Sequence, residues 1–334
     1  MILLTGANGL IGSAIARRYV QAGVPVRALR RANADLSLLQ DLESQIDWVE
    51  GDVLNSSSLS DALVGITAVI HTAAVVSFAP KDRATMYKVN VEGTANVVNV
   101  CLDAGIQKLG FVSSVAALGR PAAHEVTPNQ PIYIDETQKW EDSPLNSEYA
   151  KTKYLAELEV WRGVAEGLNA VIVCPSVVLG EGDWNRSSSQ LFKYVWQERS
   201  FYSKGSLNYV DVRDVAEAVF QLMNSAIADE RFVLSAGTTT YQELFNKIAS
   251  SFNKKAPPYA ISPLLAALAW RFEAVRSWLT GKAPLVTKET ARTSFNHFVY
   301  RSNKLTDTTN FNFTNLDDTI KRVCTFFANK VQNP

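Results

Sequence analysis

Cysteine, methionine and histidine are scarce here, with only three of each in 334 residues. Cys101, Cys174 and Cys324 stand far apart and share no thiolate or imidazole spacing. That argues against a disulfide framework and against a bound metal, and it suits a reducing compartment. Charge of one sign is equally lacking: 33 Lys and Arg balance 33 Asp and Glu, so no basic excess is available for a nucleic-acid backbone. Long apolar runs are missing too. The longest nearly apolar stretch, ISPLLAALAW at 261–270, is too short to cross a bilayer. Strand-like residues begin at Ile2, leaving no room for a signal peptide. The expectation is a cytoplasmic protein with no nucleic-acid partner. A helix candidate over 261–280 carries Leu264, Leu265, Leu268, Trp270 and Phe272 beside Arg271, Arg276 and Lys282. It reads as a lid or packing helix before it reads as one resting on a membrane.

What is present is the composition of a globular protein, 47% hydrophobic and 20% charged, at a length that suits two domains or one domain with a large appendage. The first 110 residues alternate apolar runs with helical segments. MILLT, VPVRAL, IDWVE, TAVIHTAA and LGFVSS read as strands, and helices are expected over 9–22 and 83–104. The rhythm continues with a helix near 147–166 and the strand NAVIVCP. Apolar strands alternating with helices predict an α/β fold with a parallel sheet covered on both faces. After Pro175 the pattern breaks. Residues 180–206 are rich in Gly, Ser and aromatics, a strand, helix and strand follow to about 236, and the remainder reads as mostly helical.

Directly after the first strand stands TGANGLIG, with Gly6, Gly9 and Gly12 spaced G-x-x-G-x-x-G around Asn8, Leu10 and Ile11. Glycine there permits a tight turn, a close approach of backbone to a pyrophosphate, and contact between helix and strand. The helix that follows turns its free N–H groups toward the anion. This predicts a Rossmann-type, doubly wound dinucleotide-binding domain over 1–175, with 207–236 returning to it. A smaller, mostly helical substrate-binding cap is expected over 176–206 and 237–334. Tyr149 and Lys153 stand four apart in a predicted helix and share a face. A nearby ammonium favours the phenolate and would lower a tyrosine pKa from about 10 by roughly one to three units, making Tyr149 a competent general acid or base. His71 reads as a scaffold residue.

These motifs resemble the short-chain dehydrogenase/reductase superfamily, and the N-terminal loop resembles its extended branch, the NAD-dependent epimerase/dehydratase family. GDV at 51–53, HTAA at 71–74, NVEGT at 90–94, SS at 113–114, YAKTK at 149–153 and PS at 175–176 follow in the family's order, so the resemblance covers about the first 235 residues. It implies that Asp52 and Val53 contact adenine, that Thr72, Ala73 and Ala74 pass along the cofactor, and that Asn90 is a supporting residue. It further implies that Ser114 orients the substrate oxygen, that Lys153 reaches the nicotinamide ribose, and that Pro175 and Val177 meet the carboxamide. Relatives of this kind often pair through helices matching 83–104 and 147–166, which puts a homodimer among the expectations.

At the end of the second strand, VRALRRAN sets Arg30 where NAD-preferring proteins carry an acid, with Arg31 next. A 2′-phosphate suits planar guanidinium groups, so the expected cofactor is NADP, with NAD the other option. The same strand resembles dihydroflavonol reductases, and PLVTKETAR at 284–292 resembles the hydroxysteroid dehydrogenase group. The expected activity is therefore an NADP-dependent reductase or dehydrogenase acting on a carbonyl or alcohol. A nucleotide-sugar epimerase or dehydratase is the alternative. Dehydratases of this kind resemble one another in an Asp-Glu pair after the catalytic Ser/Thr, where this chain has Val115 and Ala116. A non-catalytic dinucleotide-binding regulator is the third reading. Trp184, Phe192, Tyr194, Trp196, Phe201, Tyr202 and Tyr209 supply aromatic surface for an apolar or ring-bearing small molecule, or else pack the cap's own core.

Overall fold

The computed structural model describes residues 1–120, 131–143, 145–261 and 298–332. Most of the 261–280 helix candidate and all of PLVTKETAR lie outside them. Seven parallel strands form the central sheet: β1 (Ile2–Thr5), β2 (Val26–Arg30), β3 (Ile46–Glu50), β4 (Ala68–His71), β5 (Lys108–Val112), β7 (Ala170–Pro175) and β11 (Glu230–Leu234). Their spatial order is β11-β7-β5-β4-β1-β2-β3. The chain winds outward from β1 to β3, then restarts at β4 on the other side of β1. This reversal opens a crevice at the carboxyl ends of β1 and β4, where such sheets bind ligands.

Alternation along each strand builds a core on either face. Ile2 and Leu4 of β1 join a cluster with α1 (Leu10–Gln21) and α7 (Val212–Met223), whereas Leu3 faces the opposite cluster. That second cluster holds α2 (Ser56–Ala62), α4 (Gly93–Asp103) and α5 (Glu148–Ala165). Helix α5 starts where Ser147 accepts a hydrogen bond from the Ala150 N–H at 3.0 Å, a side-chain N-cap. The expected single helix at 83–104 is instead α3 (Arg83–Tyr87), one π turn over Lys88–Glu92, and α4. Among the described residues no helix is long and apolar enough to cross a membrane.

Beyond β7 the chain forms β8 (Val177–Leu179), α6 (Gln190–Trp196), β9 (Phe201–Ser203) and β10 (Ser206–Asp211). After β11 come β12 (Gly237–Thr240), α8 (Tyr241–Phe252), β13 (Tyr259–Ile261), β14 (Phe298–Tyr300), α9 (Asn303–Thr309) and α10 (Leu316–Gln332). Strand β10 pairs with β8 and β12 in a separate small sheet, and α7 and β11 that follow it join the main layer. Helices α6, α8 and α10 close over that sheet around their own apolar cluster.

Candidate active site

Gly6 ends β1 with φ +73°, a left-handed conformation that disfavours any side chain. A Cβ there would also sit 2.7 Å from the Ala73 nitrogen and the Thr72 hydroxyl. On Gly12 a Cβ would overlap the Gly6 carbonyl oxygen and lie 2.9 Å from Ala7 Cα. The turn is closed by the Gly9 N–H donating to Gly6 O at 3.0 Å, and Gly9 caps α1 without any side-chain hydrogen bond. The first N–H groups of α1 therefore stay available to an anion in the crevice. Leu10 and Ile11 anchor the helix start against the core, and Asn8 and Gly9 stay on the open side.

Arg30 closes β2, where its carbonyl accepts from the Gly51 N–H at 2.9 Å. Its side-chain Nε is buried and has no hydrogen-bond partner. A buried donor left unpaired costs about 1–3 kcal/mol, so a phosphate oxygen at this point would recover that cost. Arg31 is exposed beside it. Asp52 is partly committed, with Oδ1 accepting from the Leu54 N–H at 2.9 Å, while Val53 is buried against Gly93.

The segment after β4 is stitched to the end of β1. Thr72 donates through its hydroxyl to Thr5 O at 2.7 Å, and Thr5 Oγ1 accepts from the Ala73 N–H at 3.3 Å. Ala74 is exposed at the crevice edge. His71 is wholly buried between Thr5 Oγ1, 2.7 Å from Nδ1, and Thr94 Oγ1, 3.1 Å from Nε2. Burial, helped by the Lys153 charge, pushes its pKa down to about 3, so the ring is a neutral scaffold element. Unfolded His71 binds a proton below about pH 6.5, but folded His71 does so only near pH 3. Folding stability contributed by this group is full above pH 6.5 and is lost on acidification, by about 1.4 kcal/mol per pH unit across that window. Urea unfolding at pH 7 and pH 5 should show a steeper loss for the parent than for His71→Asn, and equal losses would refute the assignment.

Ser114 and Tyr149 lie together: the Ser114 side chain acts on the phenol and lowers its pKa against burial. Ser114 stands at the end of β5, just before a short 3₁₀ turn over Val115–Leu118, with its Oγ accepting from the Ala116 N–H at 3.2 Å. Lys153, one turn beyond Tyr149, is 2% exposed and donates from Nζ to Val112 O at 2.9 Å. It also lies 4.3 Å from the Phe111 ring centre. One expectation is corrected. Tyr149 is not held below its ordinary pKa; burial pushes it up to about 12, against the lowering influence of Ser114. Burial also pulls Lys153 down to about 8, and its ammonium is spent on a main-chain carbonyl instead of the phenol.

Asn90 lies in the π turn, accepting from the Val75 N–H at 2.7 Å and donating to Val75 O and Thr152 Oγ1, each at 3.0 Å. It ties the segment after β4 to α5 immediately before Lys153. Pro175 and Val177 flank the junction of β7 and β8, where Ser176 donates its N–H to Leu234 O at 2.9 Å. Phe78, not singled out from the sequence, faces Tyr149 edge-on at 6.1 Å between ring centres and is 40% exposed. Its signal was weak, a lone aromatic in a loop.

The aromatic-rich segment follows the second of its two readings. Phe192 is fully buried, Trp184 stacks on Phe327 at 5.2 Å, Tyr194 on Phe245 at 5.6 Å, and Trp196 meets Phe252 at 5.0 Å. Tyr202 and Tyr209 join the same cluster, and Phe201 pairs with Tyr259 on the surface. Apart from Phe201, these rings build the cap's own core together with the aliphatic side chains of α6, α8 and α10.

Comparison with known proteins matches residues 2–235 to the NAD dependent epimerase/dehydratase family. A Synechocystis protein named as a candidate dihydroflavonol 4-reductase is 30% identical, over 90% of this chain and 87% of its own. Cinnamoyl-CoA reductase 1 of Oryza sativa is 30% identical, over 75% of this chain and 76% of its own. Among solved structures, gox2253 is similar with a TM-score of 0.81 and 28% identity, covering 99% of this chain and 98% of that one. UDP-glucose 4-epimerase of Thermus thermophilus, solved with NAD, has a TM-score of 0.76 at 21% identity, covering 98% of both chains. The last similarity is one of fold.

Proposed function

Because the chain belongs to the NAD dependent epimerase/dehydratase family, we propose that it is an NADP-dependent reductase or dehydrogenase acting on the carbonyl/alcohol group of a small molecule. The observation that carries the reading is the pairing of Ser114 with Tyr149 above a buried Lys153 at the carboxyl edge of the sheet. A bound nicotinamide would supply or accept hydride at the substrate carbon. The chain's own groups handle the oxygen. Ser114 orients it by hydrogen bonding. Tyr149, whose pKa lies near 12, holds its proton throughout the neutral range and can deliver it to an alkoxide, a stronger base than phenolate. Lys153 holds Val112 O and stands ready for ribose hydroxyls. That protonation state suits reduction of a carbonyl. The unpartnered Arg30 Nε supports NADP.

Within this proposal, 1–175 with 207–236 binds the dinucleotide, and 176–206 with 237–334 binds substrate. The cofactor contacts would be made by Gly6, Asn8, Gly9, Leu10, Ile11, Gly12, Arg30, Arg31, Asp52, Val53, Thr72, Ala73, Ala74, Tyr149, Lys153, Pro175 and Val177. A homodimer through α3, α4 and α5 belongs to the same reading, supported by exposed Tyr87 and Leu158. Similarity to proteins named for dihydroflavonol and cinnamoyl-CoA reduction supports a ring-bearing carbonyl substrate. Purified protein should consume NADPH in the presence of an aromatic or alicyclic aldehyde or ketone from a small panel. A cofactor that co-purifies and resists dialysis, with thermal stabilisation by a sugar diphosphate, would overturn this in favour of epimerase or dehydratase chemistry.

A further inference from the structure

Two turns beyond Tyr149 and one beyond Lys153, α5 carries a further buried charged residue. Glu157 is 1% exposed. Residues 149, 153 and 157 share one helix face. The Glu157 carboxylate is fully engaged away from solvent. Oε2 accepts from the Ser113 hydroxyl at 2.9 Å, and Oε1 forms an ion pair with Arg231 Nη1 at 3.1 Å. Arg231 comes from β11 and is pinned in turn by Glu136 O at 2.6 Å and Gln138 O at 3.4 Å. One carboxylate therefore joins three elements: the helix of Tyr149 and Lys153, the strand end of Val112 to Ser114, and the outer strand β11 beyond β7.

The surroundings of Lys153 give this carboxylate an electrostatic role as well. The titratable groups coupled to the ammonium are Glu157 on its own helix, His71 at the end of β4, and Cys174 on β7, with Tyr149 one helical turn away. Arg231 and Glu136 stand behind Glu157 and Cys174. His71 is neutral, and burial keeps both the Tyr149 phenol and the Cys174 thiol protonated. Among the described residues, Glu157 is thus the anion that faces Lys153, and its charge opposes the desolvation that drives the lysine toward neutrality.

We propose that Glu157, gripped by Arg231, is the positioning residue of this centre, fixing the 112–114 strand end and holding Lys153 in its charged form. The proposal deepens the reductase reading and rests on it for what Lys153 does. Ser113 Oγ bound to Glu157 sets the peptide from which Val112 O reaches Lys153 and from which the Ser114 side chain reaches Tyr149. Arg231 restrains the effect, because its own positive charge partly cancels the field of Glu157 at the lysine.

The test follows Lys153 directly, by NMR titration of the full-length protein carrying ¹³C-labelled lysine, with Lys153→Met to assign the signal. Its midpoint near pH 8 should stand apart from surface lysines near about 10.4. Glu157→Gln, which keeps the Ser113 contact but loses the charge, should lower that midpoint by about one pH unit. Arg231→Gln should raise it. NADPH affinity of Glu157→Gln, read by fluorescence, should fall several-fold at pH 8 and recover at pH 6.5, where Lys153 is charged again. Midpoints that move together, or not at all, would overturn the proposal, since a purely structural role gives no opposition of sign. If Glu157→Gln fails to fold, the direction of shift in Arg231→Gln decides alone. Absence of carbonyl reductase activity in the parent would instead defeat the reductase reading, and the titration would still report on Glu157.

Discussion

Tyr149→Phe is expected to lower turnover of a carbonyl substrate by about 10²–10⁴-fold, the usual contribution of a positioned general acid. It should leave NADPH affinity within a few-fold of the parent. The substitution removes one hydroxyl and keeps the ring that meets Phe78 at 6.1 Å. Ser114 keeps its hydrogen bond from the Ala116 N–H at 3.2 Å. Nothing in the glycine turn or at the end of β2 depends on Tyr149, so binding and chemistry should separate. Steady-state kinetics alongside fluorescence titration with NADPH makes the comparison. A variant that kept even half of the parent's kcat would show that the proton comes from elsewhere.

Arg30→Asp combined with Arg31→Ala should reverse the coenzyme preference. A charge-assisted hydrogen bond contributes about 1.5–3 kcal/mol, which is roughly 10- to 100-fold in affinity. Losing the guanidinium groups removes that attraction for a 2′-phosphate, and the new carboxylate repels it. The same carboxylate gives NAD the ribose hydroxyl acceptor found at this position in NAD-preferring folds. The ratio of kcat/KM for NADPH over NADH should fall by at least 100-fold in the double variant. An unchanged NADPH constant would return both side chains to ordinary surface charge and leave the buried Arg30 Nε without an explanation.

The glycine turn and the strands of the sheet were legible because their signals are local. Gly6, Gly9 and Gly12 sit where a strand meets a helix, and each apolar run is long enough to declare a strand. The Tyr149–Lys153 pair was legible because helical periodicity fixes which side chains share a face. Its electrostatics were not, since burial, which comes from the packed surroundings, outweighs the one charge visible in the motif. Glu157 escaped notice for a related reason. Its partners Ser113 and Arg231 lie 44 and 74 residues away, joined only through the sheet. The cap defeated sequence reading most. Its strands have three to six residues, and β14 pairs across the chain with a three-residue strand over Ile132–Ile134. Segments that short acquire their conformation from neighbours. Likewise, whether Trp184 or Trp196 faces a ligand or a phenylalanine cannot be read from spacing.

The π turn at Lys88–Glu92 makes the length of that helix unusually unforgiving. A π turn holds one residue more than regular α-helix requires. Deleting any one residue between 83 and 92 would let the backbone relax into an unbroken helix, with more regular hydrogen bonding. Both flanks would keep their phase, because the wide turn is what absorbs the extra residue, but the residues inside the turn would rotate against them. Asn90 would then swing away from Val75 and Thr152, while Val97, Val98 and Cys101 of α4 stayed on the sheet. Local regularity and the working register are therefore opposed at this point. Here an indel is the damaging lesion, whereas most single substitutions along the same stretch leave the phase of the helix intact.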